Sequence, residues 1–193
     1  SKMSGKLEGV PALNTDTTTN KFCQAMSKRK DTICSVCYSW NMLKTFRKNA
    51  VPRFKSNSDY LSYKIHDYDY LPKVPSIVAR FNGHGELINR NHLENLFRIC
   101  DNQPKTTFSL WTKKYWLVHK LLDEGRKKPP NIILIYSNPY PDLESELPRE
   151  FDKVFNNVTN PNDTSINCDR KCIECMMCYT LGDKTINIVE GVK

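Results

Sequence analysis

Four cysteines, Cys168, Cys172, Cys175 and Cys178, fall within eleven residues near the end of this 193-residue chain, with three, two and two residues between them. A second set, Cys23, Cys34 and Cys37, lies near the start, and Cys100 stands apart. Short spacings of this kind let one loop wrap an inorganic core, supply most of its thiolates and turn backbone N–H groups toward its sulfides. Disulfides fit poorly, because cysteines two residues apart pair awkwardly but converge easily on a metal. A structural zinc site pairs two Cys-x-x-Cys hooks across a longer loop. Cys34 and Cys37 with Cys175 and Cys178 supply such hooks, but Cys23, Cys168 and Cys172 are then without a role. The expectation is therefore a [4Fe–4S] cluster held by these seven cysteines, either one cluster drawn from both ends of the chain or two. In the two-cluster case the N-terminal one has three cysteine ligands and an iron open to a small molecule, as an open catalytic metal position is. Zinc is the alternative. Cys100 shares the apolar face of a helical repeat with Leu93, Leu96 and Phe97, which predicts a buried core thiol.

The elements that must position these thiols can be read from apolar periodicity. A short strand is expected around 10–13, followed by a helix over 40–48 that Pro52 interrupts, and a further helix within 53–70. From residue 76 the pattern becomes regular. Strands are predicted at 77–81, 106–111, 131–136 and 153–158, and helices over the Leu93–Cys100 repeat, capped by Asn89 or Asn91, and over 115–124, closed by Gly125. The unbroken apolar run at 131–136 is typical of a parallel strand covered on both faces. Alternating strands and helices imply right-handed crossovers. The fold class is thus α/β, a partial (β/α) barrel or open parallel sheet of four to six strands. It forms one domain over 1–193, with an N-terminal cysteine segment at 5–40, βα repeats at 76–160 and a C-terminal cysteine loop at 167–180.

Ligands of parallel sheets gather at the carboxyl ends of the strands. Those ends carry Asn82, Gly83, His84, Gly85 and Glu86 after the first strong strand, then Thr112 and Lys113, Ser137 and Asn138, and Thr159 and Asn160. His84 sits between glycines, where a backbone can come close to a ligand, and Glu86 is suited to accept hydrogen bonds from an amine or ribose. Residues 82–86 are therefore the candidate small-molecule site. The formal charge of +8 suggests an acidic partner or nucleic acid, met by Lys28 to Lys30, Lys113 and Lys114, and Arg126 to Lys128, against the plainer reading of a solvated basic surface. No run reaches the roughly twenty apolar residues of a membrane span. No basic-then-apolar export segment opens the sequence, so no membrane partner is expected.

Three stretches carry a resemblance. Cys23 with Cys34-x-x-Cys37-Tyr38, the segment from Arg80 through Phe81, Asn82, Gly83, His84, Gly85 and Glu86 to Leu87, and Cys172-x-x-Cys175-x-x-Cys178-Tyr179 together resemble the bacteriophage gene-product-88 family over roughly residues 5–180. That family's strand-end motif reads Arg, a large apolar residue, His, any residue, Ser, Gly, Asp. Here Asn82, His84 and Glu86 stand in the His, Ser and Asp places. The resemblance implies a viral, phage or prophage, origin, a cysteine-rich α/β domain and a location in the cytoplasm of the infected bacterial host. A more distant likeness is to radical S-adenosylmethionine enzymes, which have three early cysteines, the last followed by an aromatic residue, and a later Gly-Gly-Glu. That likeness implies that Cys23, Cys34 and Cys37 hold an open cluster and that Gly85 and Glu86 contact S-adenosylmethionine. The interval between Cys23 and Cys34 is longer than that superfamily uses. The functional expectation is an iron–sulfur protein with a redox or radical-type role, the alternatives being a radical S-adenosylmethionine-like enzyme and a zinc- or cluster-stabilised nucleic-acid-binding module.

Overall fold

The computed structural model describes residues 3–182 and 185–192. Six strands, β1 (Ala12–Leu13), β2 (Val78–Phe81), β3 (Thr107–Thr112), β4 (Ile132–Ser137), β5 (Lys153–Val158) and β6 (Asn187–Gly191), form one open, all-parallel sheet in sequence order. The register sets Arg80 beside Ser109, Leu110 beside Leu134 and Phe155 beside Ile188. The apolar run becomes β4, and every one of its residues is buried. Its side chains alternate as the pleat requires. Ile132, Leu134 and Tyr136 enter one core, while Ile133 and Ile135 enter another on the opposite face.

Sequential strand order with right-handed crossovers sends successive connections over one face. Helices α3 (Val51–Tyr63), α4 (Arg90–Asp101) and α5 (Tyr115–Asp123) occupy that face. Leu61, Leu93, Phe97 and Leu121 pack there against Phe81, Phe108, Leu110 and Leu134. Each such side chain, fully buried, contributes about 1.5–3 kcal/mol. Cys100 lies in the same core as expected, fully buried. The α4 N-terminus is capped by Asn89, whose Oδ1 accepts from His92 N at 3.0 Å. Gly125, at φ +93°, ends α5 in the left-handed conformation that Ala or larger residues resist.

The opposite face is covered differently. Val78, Ile133, Ile135, Phe155 and Ile188 pack there against Val10 and against Cys178 and Tyr179 of the connection between β5 and β6. That last connection therefore lies across the sheet face that the helices leave open.

Three local expectations change. The early helix α2 is Tyr38–Lys44, shorter than 40–48, because the chain leaves helical geometry at Thr45 (φ −116°, ψ −108°). Pro52 does not interrupt a helix but sits in the first turn of α3, where its missing N–H has no intrahelical partner to lose. Strand β6 is an addition to the strands expected from the sequence. Its apolar pair, Ile188 and Val189, is adjacent rather than alternating, so the period-2 signal is too short to see. Among the described residues no helix is long and apolar enough to cross a membrane.

Candidate functional site

A cavity of about 420 Å³ opens at the carboxyl ends of the strands. Both cysteine sets reach it: Cys23, Cys34 and Cys37 from the N-terminal segment, Cys168, Cys172 and Cys178 from the C-terminal loop, and residues 82–86 from the exit of β2. Cys175 ends α6 (Cys172–Cys175), with its sulfur 3.9 Å from an Arg170 nitrogen, and does not line the cavity. All eight cysteines carry free thiols.

The N-terminal set is placed by α1 (Lys21–Met26) and by the turn that leads into α2. Asn20 caps α1, its Oδ1 accepting from Phe22 N at 3.0 Å and Cys23 N at 3.3 Å, while its side-chain amide donates to Glu86 O at 3.0 Å. One side chain thus ties Cys23 to the β2 exit. Ile33 N donates to Pro139 O at 2.9 Å and holds the Cys34 turn against the β4 exit. Tyr38 donates its hydroxyl to Gly83 O.

The C-terminal set is fastened to β6. Asn167 Oδ1 accepts from Val189 N at 2.9 Å, and Cys168 N donates to Val189 O at 3.0 Å. The loop then makes the single helical turn of α6 and reverses at Met176, which takes a left-handed conformation at φ 57°. Lys6 donates to the Cys168 carbonyl and lies 2.6 Å from Glu190, so the N-terminal segment also clamps this loop.

Burial pushes the Cys168 thiol up to about 11 and the Cys178 thiol up to about 12, with Lys6 and Arg80 respectively opposing the shift. Burial likewise raises Cys23, Cys34 and Cys172. Free of metal, these groups are neutral thiols at neutral pH. Among the described residues no group of three or more His, Cys, Asp or Glu side chains is gathered closely enough to hold one metal ion.

Residues 82–86 line the cavity, but most of their polar groups are engaged within the protein. Glu86 is buried and its carboxylate accepts from Thr112 Oγ1 at 2.6 Å, Leu87 N at 2.7 Å and Lys113 N at 2.8 Å. The two glycines make room for the protein's own chain: a Cβ at Gly85 would sit 2.1 Å from Thr15 Oγ1, and one at Gly83 2.9 Å from Asn14 Oδ1. His84 is 1% exposed rather than a surface turn residue. Its Nε2 faces an Arg47 N–H at 3.5 Å and its Nδ1 lies 2.8 Å from Ser39 Oγ. Arginine only donates, so Nε2 accepts and Nδ1–H donates to Ser39. His84 therefore does not act as a base toward Ser39. Burial, with Arg47 and Arg80 nearby, lowers it to about 4 and keeps it neutral.

Several proposed phosphate-binding cations are engaged within the fold. Lys114 is buried and donates to Leu87 O and Ile88 O at 3.0 and 2.9 Å. Arg126 pairs with Glu94 and Asp101, and Lys128 with Asp152.

Sequence reasoning gave no role to Arg80 and did not separate Tyr179 from the cysteine loop. Arg80 is 9% exposed, lines the cavity and lies 4.0 Å from the Trp111 ring centroid. Its Nε and the Tyr179 hydroxyl are buried without a hydrogen-bond partner. The available signal was a charged residue at the centre of a fully buried strand, Val78–Phe81.

No curated protein and no solved structure matches the chain. The family described as gene product 88 does, over residues 3–177, which takes in both cysteine sets up to Met177, β1 through β5 and the β2 exit. The chain belongs to the gene product 88 family.

Proposed function

We propose that this phage protein binds iron–sulfur clusters at the carboxyl face of its sheet and uses them in redox or radical-type chemistry in the cytoplasm of the infected bacterial host. The observation that carries the reading is that two sets of free thiols, distant in sequence, open on one cavity. The donor set fits the group, being sulfur-rich and partly buried. A single zinc ion would draw four ligands to about 2.0–2.3 Å from one point. The thiols are not gathered that closely, and a cubane, which binds each thiolate to a different iron, suits a wider spread.

The two sets have different capacities. Cys168, Cys172, Cys175 and Cys178 are enough thiols for one [4Fe–4S] cluster, with Cys175 turning in from outside the cavity on binding. Cys23, Cys34 and Cys37 supply three thiolates, so a second cluster there would keep an iron open for a small molecule in the cavity. When bound, such clusters supply one-electron chemistry. The chain's own contribution is to hold the thiols, exclude water and place Glu86, Lys113, Lys6 and Arg80 as fixed charges around them. S-adenosylmethionine is a ligand to test at the open position.

Purification without oxygen, an absorption spectrum and assays of iron, zinc and acid-labile sulfide test the reading. Broad absorption near about 400 nm with iron and sulfide in comparable amounts supports it. Bound zinc without sulfide, or failure to take up iron on reconstitution, overturns it.

A further inference from the structure

We infer that Arg80 and Tyr179 donate hydrogen bonds to the sulfur-bound core held by the C-terminal cysteine set, and that these donors raise its reduction potential. This rests on the cluster reading above. Arg80 is fixed in place. Its neighbours Ala79 and Phe81 enter the helix-covered core, so its own side chain points to the opposite face. There it lies over Trp111, which packs 4.3 Å from Phe155 and donates its indole N–H to Ser109 Oγ at 3.0 Å. No hydrogen bond or ion pair holds the Arg80 side chain among the described residues, and its Nε is buried. The Tyr179 hydroxyl is in the same condition, under the loop that carries Cys178.

A buried guanidinium N–H without an acceptor is costly, and an anion in the cavity would complete it. The nearby carboxylate Glu190 is held by Lys6. Arg80 lines the same cavity as Cys168, Cys172 and Cys178, and it is the leading charge acting on both Cys172 and Cys178. Thiolates and sulfides of a bound core are the missing acceptors. The N-terminal set has a cation and a carboxylate of its own, Lys113 and Glu86, beside Cys23 and Cys34. Hydrogen bonds to cluster sulfurs and net local charge are both determinants of potential. Donors and a cation favour the more negative, reduced state, so removing them lowers the potential.

The test uses the full chain, reconstituted anaerobically with iron and sulfide, in a Cys34→Ser/Cys37→Ser background so that one centre is read. Midpoint potentials are compared with and without Arg80→Gln and Tyr179→Phe. Both substitutions are expected to make the midpoint more negative, Arg80→Gln by more, with iron retained. If Arg80→Gln does not fold, Tyr179→Phe decides. Unchanged midpoints at full iron content overturn the inference and leave the cluster reading standing, whereas a wild-type chain that takes up no iron overturns both. A second readout is thermal stability. Arg80→Leu should raise the unfolding temperature of the metal-free protein and lower that of the loaded one, and equal loss in both states would mean that Arg80 is only a packing residue.

Discussion

Replacing Gly85 by Ala tests how the β2 exit is built. At φ +92° an L-residue is strained by about 1–2 kcal/mol. The added Cβ would also lie 2.1 Å from Thr15 Oγ1, 2.7 Å from Thr15 O and 2.9 Å from Thr15 C. The hydroxyl can rotate away, but the carbonyl carbon and oxygen belong to a backbone tied to this exit by Thr15 N donating to His84 O at 3.1 Å. Overpacking of that kind adds about 1–3 kcal/mol. Gly125 is the control, with nearly the same φ of +93° and nothing within 4 Å of its added Cβ. Gly125→Ala should therefore cost the conformational strain alone, about 1–2 kcal/mol, and Gly85→Ala roughly 2 kcal/mol more. With a urea slope of about 1–3 kcal/mol/M, that difference separates the two midpoints by roughly 1 M. Equal midpoints would refute the claim that Gly85 is required by contact with Thr15, and would return it to the role expected from the sequence, a space left for a ligand.

Other outcomes follow from the same geometry. Cys175→Ser should lose iron relative to wild type, whereas Cys100→Ala, in the helix-side core, should keep full iron while lowering stability by about 1–2 kcal/mol; equal iron in both, by colorimetric assay, would refute the ligand assignment. His84 and His92 are buried and lowered to about 4 and about 3, by burial first and then by Arg47 and Arg80 for His84 and by Lys114 for His92. The unfolded chain takes up these protons near pH 6.5 and the folded chain does not, so stability is full above that pH and falls as pH drops toward 4. The loss should be on the order of 3 kcal/mol per histidine by pH 4.5, and His92→Gln should flatten the urea-midpoint profile between pH 7 and 4.5; an unchanged slope would remove His92 from the account. Lys114→Met should cost about 1–3 kcal/mol by leaving the Leu87 and Ile88 carbonyls without their donor, while Lys30→Ala, at an exposed position, should change denaturation by less than about 0.5 kcal/mol.

What could be read from the sequence follows from the range over which each signal acts. The unbroken apolar run of β4, the Leu93–Cys100 repeat and the Asn89 cap are local, and each reappears in the fold at nearly its expected bounds. The role of residues 82–86 was harder to see. A glycine pair beside a strand end looks the same whether it makes room for a ligand or for the backbone of Thr15, which is 70 residues away in the chain. Arg80 was harder still. Its significance comes from the lack of a partner, and a sequence does not show which donors are left unmatched once the chain has folded.

The strand order explains where the C-terminal cysteine set lies. With neighbours paired in sequence order and the long helices packed on one face, the opposite face of the sheet is left to shorter segments. Val78, Ile133, Ile135, Phe155 and Ile188 must still be kept from water, and the segments available are the chain before β1 and the connection between β5 and β6. Those are the segments that hold Val10, Cys178 and Tyr179 against the sheet. Closing the second core and bringing the C-terminal thiols to the strand ends are thus one event. Metal binding and the packing of the sheet's inner face should therefore be coupled: loading ought to protect the β4 and β6 amides from hydrogen exchange as well as those of the cysteine loop, because the loop is the lid of the core that those strands form.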